Sequence, residues 1–205
     1  LAGALNETVG LNKAFIQFYT GTAGFFTAGR TVSFFDFYAN DSNYGRLVGS
    51  DRDNSNLFAY TATFGGGFSA TLSAEDAYNR RITNGAVTYA GQRMPDVVAN
   101  LRVDQAWGSA QLSGAVHQMN VTDQFGGVYV DTAYGFALQG GLKLNLPMIA
   151  AGDQFWLQAA YSNGANDFAG VSRFAADAAP FGRVRGVVAN ADGYIDALGN
   201  IKKAT

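Results

Sequence analysis

Apolar residues recur at every second position along several stretches of this chain, and this alternation restricts the possible folds more than any other feature. Successive side chains of a β-strand point to opposite sides, so such a stretch forms a strand with one apolar and one polar face. On the clearest pair of stretches the apolar face comprises Val97, Ala99, Leu101, Val103, Ala110, Leu112, Gly114 and Val116. The polar face comprises Val98, Asn100, Arg102, Asp104, Gln111, Ser113, Ala115 and His117.

These two stretches predict a β-hairpin whose turn lies at Trp107-Gly108. Pairing across that turn places Arg102 opposite Ser113 and Asp104 opposite Gln111. Polar residues then face polar residues on both strands, as a stable ladder requires.

Three further hairpins follow the same alternation. Their strands are predicted at 13–19 with 25–32, 57–64 with 68–74, and 134–145 with 155–161. In the last of them Trp156 falls on the polar side. The sequence therefore predicts about eight strands in four hairpins, each closed by a short turn.

The connections at the other ends of these strands are much longer. They cover 33–55, 76–95, 120–132 and the chain after 162. Short turns on the periplasmic side and long loops on the outside are typical of outer-membrane barrels. The predicted fold is therefore all-β, a transmembrane antiparallel up-and-down β-barrel.

Composition agrees with this fold and limits the functions. The chain has 26 glycines, 16 phenylalanines and 10 tyrosines against three prolines, which favours strands and tight turns. It has no cysteine and a single histidine, so we expect no disulfide, no metal site and no cofactor. A net charge of −2 argues against binding nucleic acid.

Strand number bears on whether such a barrel conducts. An eight-stranded closed barrel is filled by its own side chains, whereas aqueous pores have about 16 strands. We therefore expect residues 1–205 to form a single barrel domain that is incomplete at both ends, and 184–194 to begin a ninth strand.

Two alternatives stay open at this stage. One is a complete small barrel that acts as an anchor or adhesin through loops 33–55 and 76–95. The other is a soluble secreted β-protein, such as an enzyme that hydrolyses carbohydrates with two carboxylates. The apolar outer face disfavours the second alternative, and we expect no enzymatic activity.

Several motifs resemble one family of proteins. They are NKAFIQF at 12–18, GFFTAGR at 24–30, SFFDFY at 33–38, QRMPDVVANL at 92–101 and QFWLQAAYS at 154–162. They resemble the porins of alphaproteobacteria, notably those of the Rhizobiales and Brucella type, and the resemblance covers most of 13–164.

This resemblance implies a homotrimeric barrel of about 16 strands in the outer membrane of a Gram-negative bacterium. Its neighbours would be identical subunits, membrane lipid and lipopolysaccharide. Small hydrophilic solutes and ions would cross it passively. The resemblance also implies that an extracellular loop folds into the lumen and narrows it.

The segment 33–55 is the candidate constriction loop. It carries four acidic residues, Asp36, Asp41, Asp51 and Asp53, interspersed with basic residues that include Arg46. Its aromatic residues are suited to anchor it against the inner wall.

The opposing wall is predicted to be basic. Arg102 and Lys143 fall on the polar face, and Arg30 and His117 are further candidates for the pore wall. An arginine on the lipid side at midplane would cost about 2–4 kcal/mol, which forces Arg102 inward. Acidic loop and basic wall would create a transverse field that selects solutes by charge.

Overall fold

The computed structural model describes residues 13–37, 55–81, 87–123, 132–169, 192–195 and 201–205. In these ranges the strands are Ala14–Tyr19 (β1), Gly24–Thr31 (β2), Ser55–Gly65 (β3), Phe68–Glu75 (β4), Val87–Tyr89 (β5), Asp96–Gln105 (β6), Gly108–Met119 (β7), Val121–Asp123 (β8), Ala133–Asn145 (β9), Gln154–Asn163 (β10), Gly193–Ile195 (β11) and Ile201–Lys203 (β12). Two short 3₁₀ helices cover Tyr78–Arg80 and Asn166–Ala169.

Eight of the strands form one antiparallel sheet in the order β1-β2-β3-β4-β6-β7-β9-β10. This order is up-and-down and confirms the four predicted hairpins. The turn between β3 and β4 shows why glycine is needed, since Gly65, Gly66 and Gly67 all adopt positive φ angles, of 80°, 59° and 81°.

The register of the β6-β7 hairpin differs from the prediction. Arg102 pairs with Gln111 and Asp104 pairs with Ser109, so the predicted pairs were wrong by two residues. The reason is the position of the turn, which lies at Ala106-Trp107 between the paired Gln105 and Gly108, one residue earlier than predicted. A shift of two residues keeps every side chain on its predicted face because the strand period is two.

The two faces of the sheet have opposite character. The outer face exposes large apolar side chains, among them Phe64 at 66% and Leu112 at 60%. The inner face buries polar side chains, among them Thr71, Asn100 and Gln139. This is the reverse of a water-soluble domain and suits an outer face that contacts lipid.

Part of the inner face is covered by chain segments that cross it. Phe35 of the segment after β2 packs on Phe168 of the second 3₁₀ helix, with ring centroids 4.9 Å apart. Both rings are buried against the wall residues Val98, Ala115 and Ala137. Hydrophobic contact therefore holds these segments against the inner face of the sheet.

Strands β1 and β10 form the two edges of the sheet, and in the described ranges they do not pair with each other. The closed eight-stranded barrel is therefore not the arrangement seen. Most of the predicted ninth strand, 184–191, lies outside the described residues, and β11 pairs with β12 rather than with the sheet. Over the same ranges, no helix has the length and apolar character to cross a membrane.

Candidate solute pathway along the inner wall

Inner-face residues of neighbouring strands, most of them polar, lie in transverse rows because the register aligns them across the sheet. The row nearest the short turns is Asp104, Ser109, Lys143 and Trp156. The next row is Ser69, Arg102, Gln111, Gly141 and Gln158. The third row is Thr71, Asn100, Ser113 and Gln139. Together they make this part of the inner face mainly polar, as in the lining of an aqueous pore. Asn100, Gln111, Ser113 and Gln139 in these rows are themselves buried, and Arg102 and Lys143 are more exposed.

Arg102 is the best-defined charge on this wall, and it is paired. Its Nε lies 2.6 Å from Asp104 Oδ2 and its Nη2 lies 2.8 Å from Asp104 Oδ1. Its Nη1 donates to Gln111 Oε1 at 3.3 Å, and Ser109 Oγ donates to Asp104 Oδ1 at 2.6 Å. The cation therefore sits in a local ion pair on its own strand.

Lys143 lies on the inner face as predicted, and aromatic rings join it to Arg102. Its Nζ lies 5.1 Å from the centroid of the Trp156 ring. The Trp156 ring lies 5.6 Å from that of Phe37, over which Arg102 Cζ sits at 5.5 Å. The inward register of Trp156 is confirmed by these contacts, and cation–π attraction helps to hold both cations.

Phe37 belongs to the described beginning of the candidate constriction loop, residues 33–37, which we call the loop root. Its side chain is buried and lies directly over Gly141 of β9, where a Cβ atom would overlap the ring. The carbonyls of the loop root accept hydrogen bonds from wall amides, such as that from Gln139 Nε2 to Phe35 O at 2.9 Å. The loop root therefore lies against the inner wall.

Asp36 is the only one of the four predicted loop acids within the described residues. It is half-buried and lines an open pocket of about 330 Å³, which Arg102 also lines. Four threonines, Thr27, Thr31, Thr61 and Thr71, are among the other polar residues that line the pocket. The predicted Asp41, Arg46, Asp51 and Asp53 lie outside the described residues.

Arg30 does not belong to the inner wall, which corrects the prediction. It pairs with the exposed Asn56, whereas its neighbours Gly29 and Thr31 pair with the buried Leu57 and Ser55. Alternation then places Arg30 on the outer face, at the end of β2 that leads into the loop. The prediction failed because the strand carries too few polar residues to define its faces.

His117 lies on the inner face but does not line the pathway, since it is only 1% exposed. Its Nδ1 lies 2.7 Å from Asp96 Oδ1 and its Nε2 lies 3.1 Å from the Tyr89 hydroxyl. Burial, and next the nearby Asp192 carboxylate, raise the pKa of Tyr89, so its hydroxyl stays protonated and donates to Asp192 Oδ2 at 2.7 Å. The expectation that His117 is a pore-wall residue is therefore corrected: it is a buried structural residue.

A second buried group of charges was not foreseen from the sequence. Arg80 of the first 3₁₀ helix is 3% exposed, with Nη2 3.9 Å from Glu75 Oε2 and Nη1 3.9 Å from Asp167 Oδ2. Its guanidinium carbon lies 4.0 Å from the Phe168 ring centroid. The alternation places Glu75 on the polar face, but no local signal indicates that residues 80 and 167 meet there.

An antiparallel sheet with an apolar outer face and a polar inner face defines the wall of an outer-membrane β-barrel. The chain belongs to the porin family, since the family model described as "Porin subfamily" matches residues 2–196. Family membership places it in the outer membrane of a Gram-negative bacterium.

The comparison with solved structures agrees on the fold. The outer membrane channel DcaP of Acinetobacter baumannii matches with a TM-score of 0.60 at 18% sequence identity, over 87% of this chain and 44% of that chain. This chain thus spans less than half the length of that channel. A search of curated proteins gives no match.

Proposed function

We propose that the protein containing this chain is a porin that forms a passive, water-filled diffusion channel for small hydrophilic solutes and ions. The observation that carries the proposal is the predominantly polar inner face, with the loop root folded onto it. Solutes would move down their gradients without any bond being made or broken, so the proposal includes neither an enzymatic reaction nor a cofactor.

The proposed assembly is larger than the sheet described here. The eight strands would form about half of a barrel of about 16 strands, which is the strand number of aqueous pores. The exposed edges of the sheet support this, as does the 44% coverage of the channel from A. baumannii. A homotrimer, lipid and lipopolysaccharide as neighbours, and an origin among alphaproteobacterial porins are part of the same proposal.

The proposed constriction is formed by the loop 33–55 facing the wall. Asp36, Asp41, Asp51 and Asp53, interspersed with basic residues such as Arg46, would supply the charge of the loop. Arg102 and Lys143 would supply the countercharge, and the shared pocket of Asp36 and Arg102 supports this arrangement. Because Asp104 pairs with Arg102, the wall would be less basic than its cations alone suggest.

Single-channel recording of the full-length parent protein in a planar bilayer tests the proposal. Large steps in groups of three are expected from a trimeric pore. Changing the four loop acids to asparagine is expected to lower the preference for cations. The matched control is Asp153→Asn, an exposed acid in the short turn between β9 and β10. Absence of conductance in the parent would contradict the proposal and favour an anchor or adhesin.

A further inference from the structure

We infer that three wall amides, those of Asn100, Gln111 and Gln139, are positioning residues that clamp the loop root and thereby set the width and steadiness of the channel. The inference rests on the proposed function, because it concerns the loop that would narrow the pore. The three residues come from three successive strands of the sheet, β6, β7 and β9.

Their donors converge on consecutive carbonyls. Asn100 Nδ2 donates to Phe34 O at 2.6 Å, and Gln139 Nε2 donates to Phe35 O at 2.9 Å. Gln111 Nε2 lies within reach of three carbonyl oxygens, at 3.4 Å from residue 34, 3.3 Å from residue 35 and 3.1 Å from residue 36. Each buried carbonyl at the centre of the loop root thus has an amide of the wall as its partner.

The wall amides supply hydrogen-bond donors that the backbone carbonyls of the loop root would otherwise lack. A loop that leaves its strand and crosses a wall has no ladder to satisfy its carbonyls, and a buried carbonyl without a donor is costly. Phe35 is fully buried, so water does not replace the missing partners there. Side-chain amides provide donors without adding charge to the lumen. They can therefore fix the loop while leaving charge selectivity to the acids and bases.

A second contact defines where the root lies. The ring of Phe37 occupies the space over Gly141 that any side chain would fill. The wall amides hold the backbone at residues 34–36, and the space over Gly141 holds the ring at residue 37. Asp36 lies between these two contacts, so its position relative to Arg102 depends on both.

The amides are themselves held in place by the wall. Gln158 Nε2 donates to Gln139 Oε1 at 2.9 Å, and Gln111 Nε2 also lies 2.8 Å from Ser113 Oγ. These bonds limit the rotamers of the two glutamines before the loop root binds. A pre-positioned donor loses less side-chain entropy on forming each hydrogen bond.

The test is Gln111→Met with Gln139→Met in the full-length parent, studied by single-channel recording. Methionine keeps the length and removes the donors. We expect loss of the single steady conductance level, replaced by transitions between sublevels, and an altered cation-to-anion permeability ratio. The matched control is Gln105→Met, at the short turn, where the amide donates to Gly66 O and not to the loop root. Folding is checked by the heat-dependent mobility of the barrel on a gel.

A disulfide provides the rescue experiment, since residues 1–205 contain no cysteine that would compete with the new pair. A Cβ on Gly141 would lie 2.7 Å from Phe37 Cβ, and a disulfide needs about 3.5–4.5 Å, so Phe37→Cys with Gly141→Cys requires the loop root to move outward by about 1 Å. In the background with both methionines, oxidation is expected to restore a steady level and reduction to abolish it again.

Several results would overturn the clamp. One is a double methionine variant that conducts like Gln105→Met, and another is an oxidised disulfide that forms but does not restore the steady level. If the double variant does not fold, Asn100→Leu removes one donor and is measured in its place, with the same expectation. A parent protein that does not conduct would refute the proposed function itself, whereas a conducting parent with an unaffected variant refutes only the clamp.

Discussion

The guanidinium of Arg102 makes a two-point contact with the carboxylate of Asp104, two residues farther along the same strand, at 2.6 and 2.8 Å. Positions two apart on a strand share a face, so the pair is set by the backbone period itself. The planar fork of arginine matches a carboxylate in this geometry. Arg102, which we predicted to face the loop acids, therefore has its charge compensated by Asp104 on the same wall.

The first prediction concerns this pair. Asp104→Asn is expected to shift the permeability ratio toward anions by about twofold to fivefold, because removing one charge a few ångströms from the path changes an ion's energy by up to about 1 kcal/mol. Reversal potentials in a salt gradient measure the change. The shift should diminish at high ionic strength, where charges are screened.

Asp153→Asn is the control for the first prediction, since it makes the same chemical change in an exposed turn. Equal reversal potentials for Asp104→Asn, Asp153→Asn and the parent would show that the pair does not influence the permeating ions.

The second prediction separates the two faces of the sheet. Arg102→Ala is expected to increase cation preference, because it removes a positive charge and leaves Asp104 uncompensated. Arg30→Ala is expected to leave the permeability ratio unchanged, since the register places Arg30 on the outer face. Bi-ionic potentials measure both. A shift for Arg30→Ala as large as that for Arg102→Ala would show that Arg30 faces the lumen.

The third prediction uses two adjacent glycines of β9. Gly141→Ala is expected to destabilise the protein by about 1–3 kcal/mol, as overpacking does, because the new methyl group overlaps the Phe37 ring. Gly140→Ala meets no atom within 4 Å and is expected to change stability by no more than about 0.5 kcal/mol. Urea unfolding of the full-length protein in vesicles, followed by tryptophan fluorescence, measures both.

Gly140 is a close control because it differs from Gly141 only in its face. If both alanine variants unfold at the same urea concentration, Phe37 does not rest on Gly141.

The fourth prediction concerns the buried histidine. His117→Leu is expected to cost about 3–5 kcal/mol, because it leaves the buried Asp96 carboxylate without its partner. The double variant Asp96→Leu with His117→Leu is expected to cost less than the sum of the single changes, since it removes both members of the pair. Urea unfolding gives the three values. Additive costs would mean that the two residues are not coupled.

The sequence was sufficient to predict the strands and most of their faces. Strict alternation, as around Arg102, assigns each side chain to the inner or the outer face of the sheet. A charged side chain on the outer face would be destabilised by contact with lipid. The prediction was weaker where a strand has few polar residues, as at Arg30. It was also weaker where the pattern was equally compatible with a turn placed one residue earlier or later, as at Trp107. Register errors of two residues leave the pattern unchanged, so pattern alone does not detect them.

The role of His117 shows a different limit. Alternation placed it on the polar face, and that was confirmed, but a polar face becomes either a water-filled wall or a buried interior depending on what covers it. Tyr89 and Asp192, which meet it, are separated from it by 28 and 75 residues. Such long-range encounters have no signature in the local sequence.

By itself the sequence determined that this protein is a sheet with an apolar outer face and a polar inner face, because side-chain alternation is a local property with a period of two. Only the tertiary structure decided which inner residues stay open to the pathway and which are covered. Those outcomes depend on chain segments that return from far along the sequence, such as the loop root over Gly141 and Arg80 between Glu75 and Asp167. They are decided by the packing and hydrogen bonding of residues that local patterns do not relate.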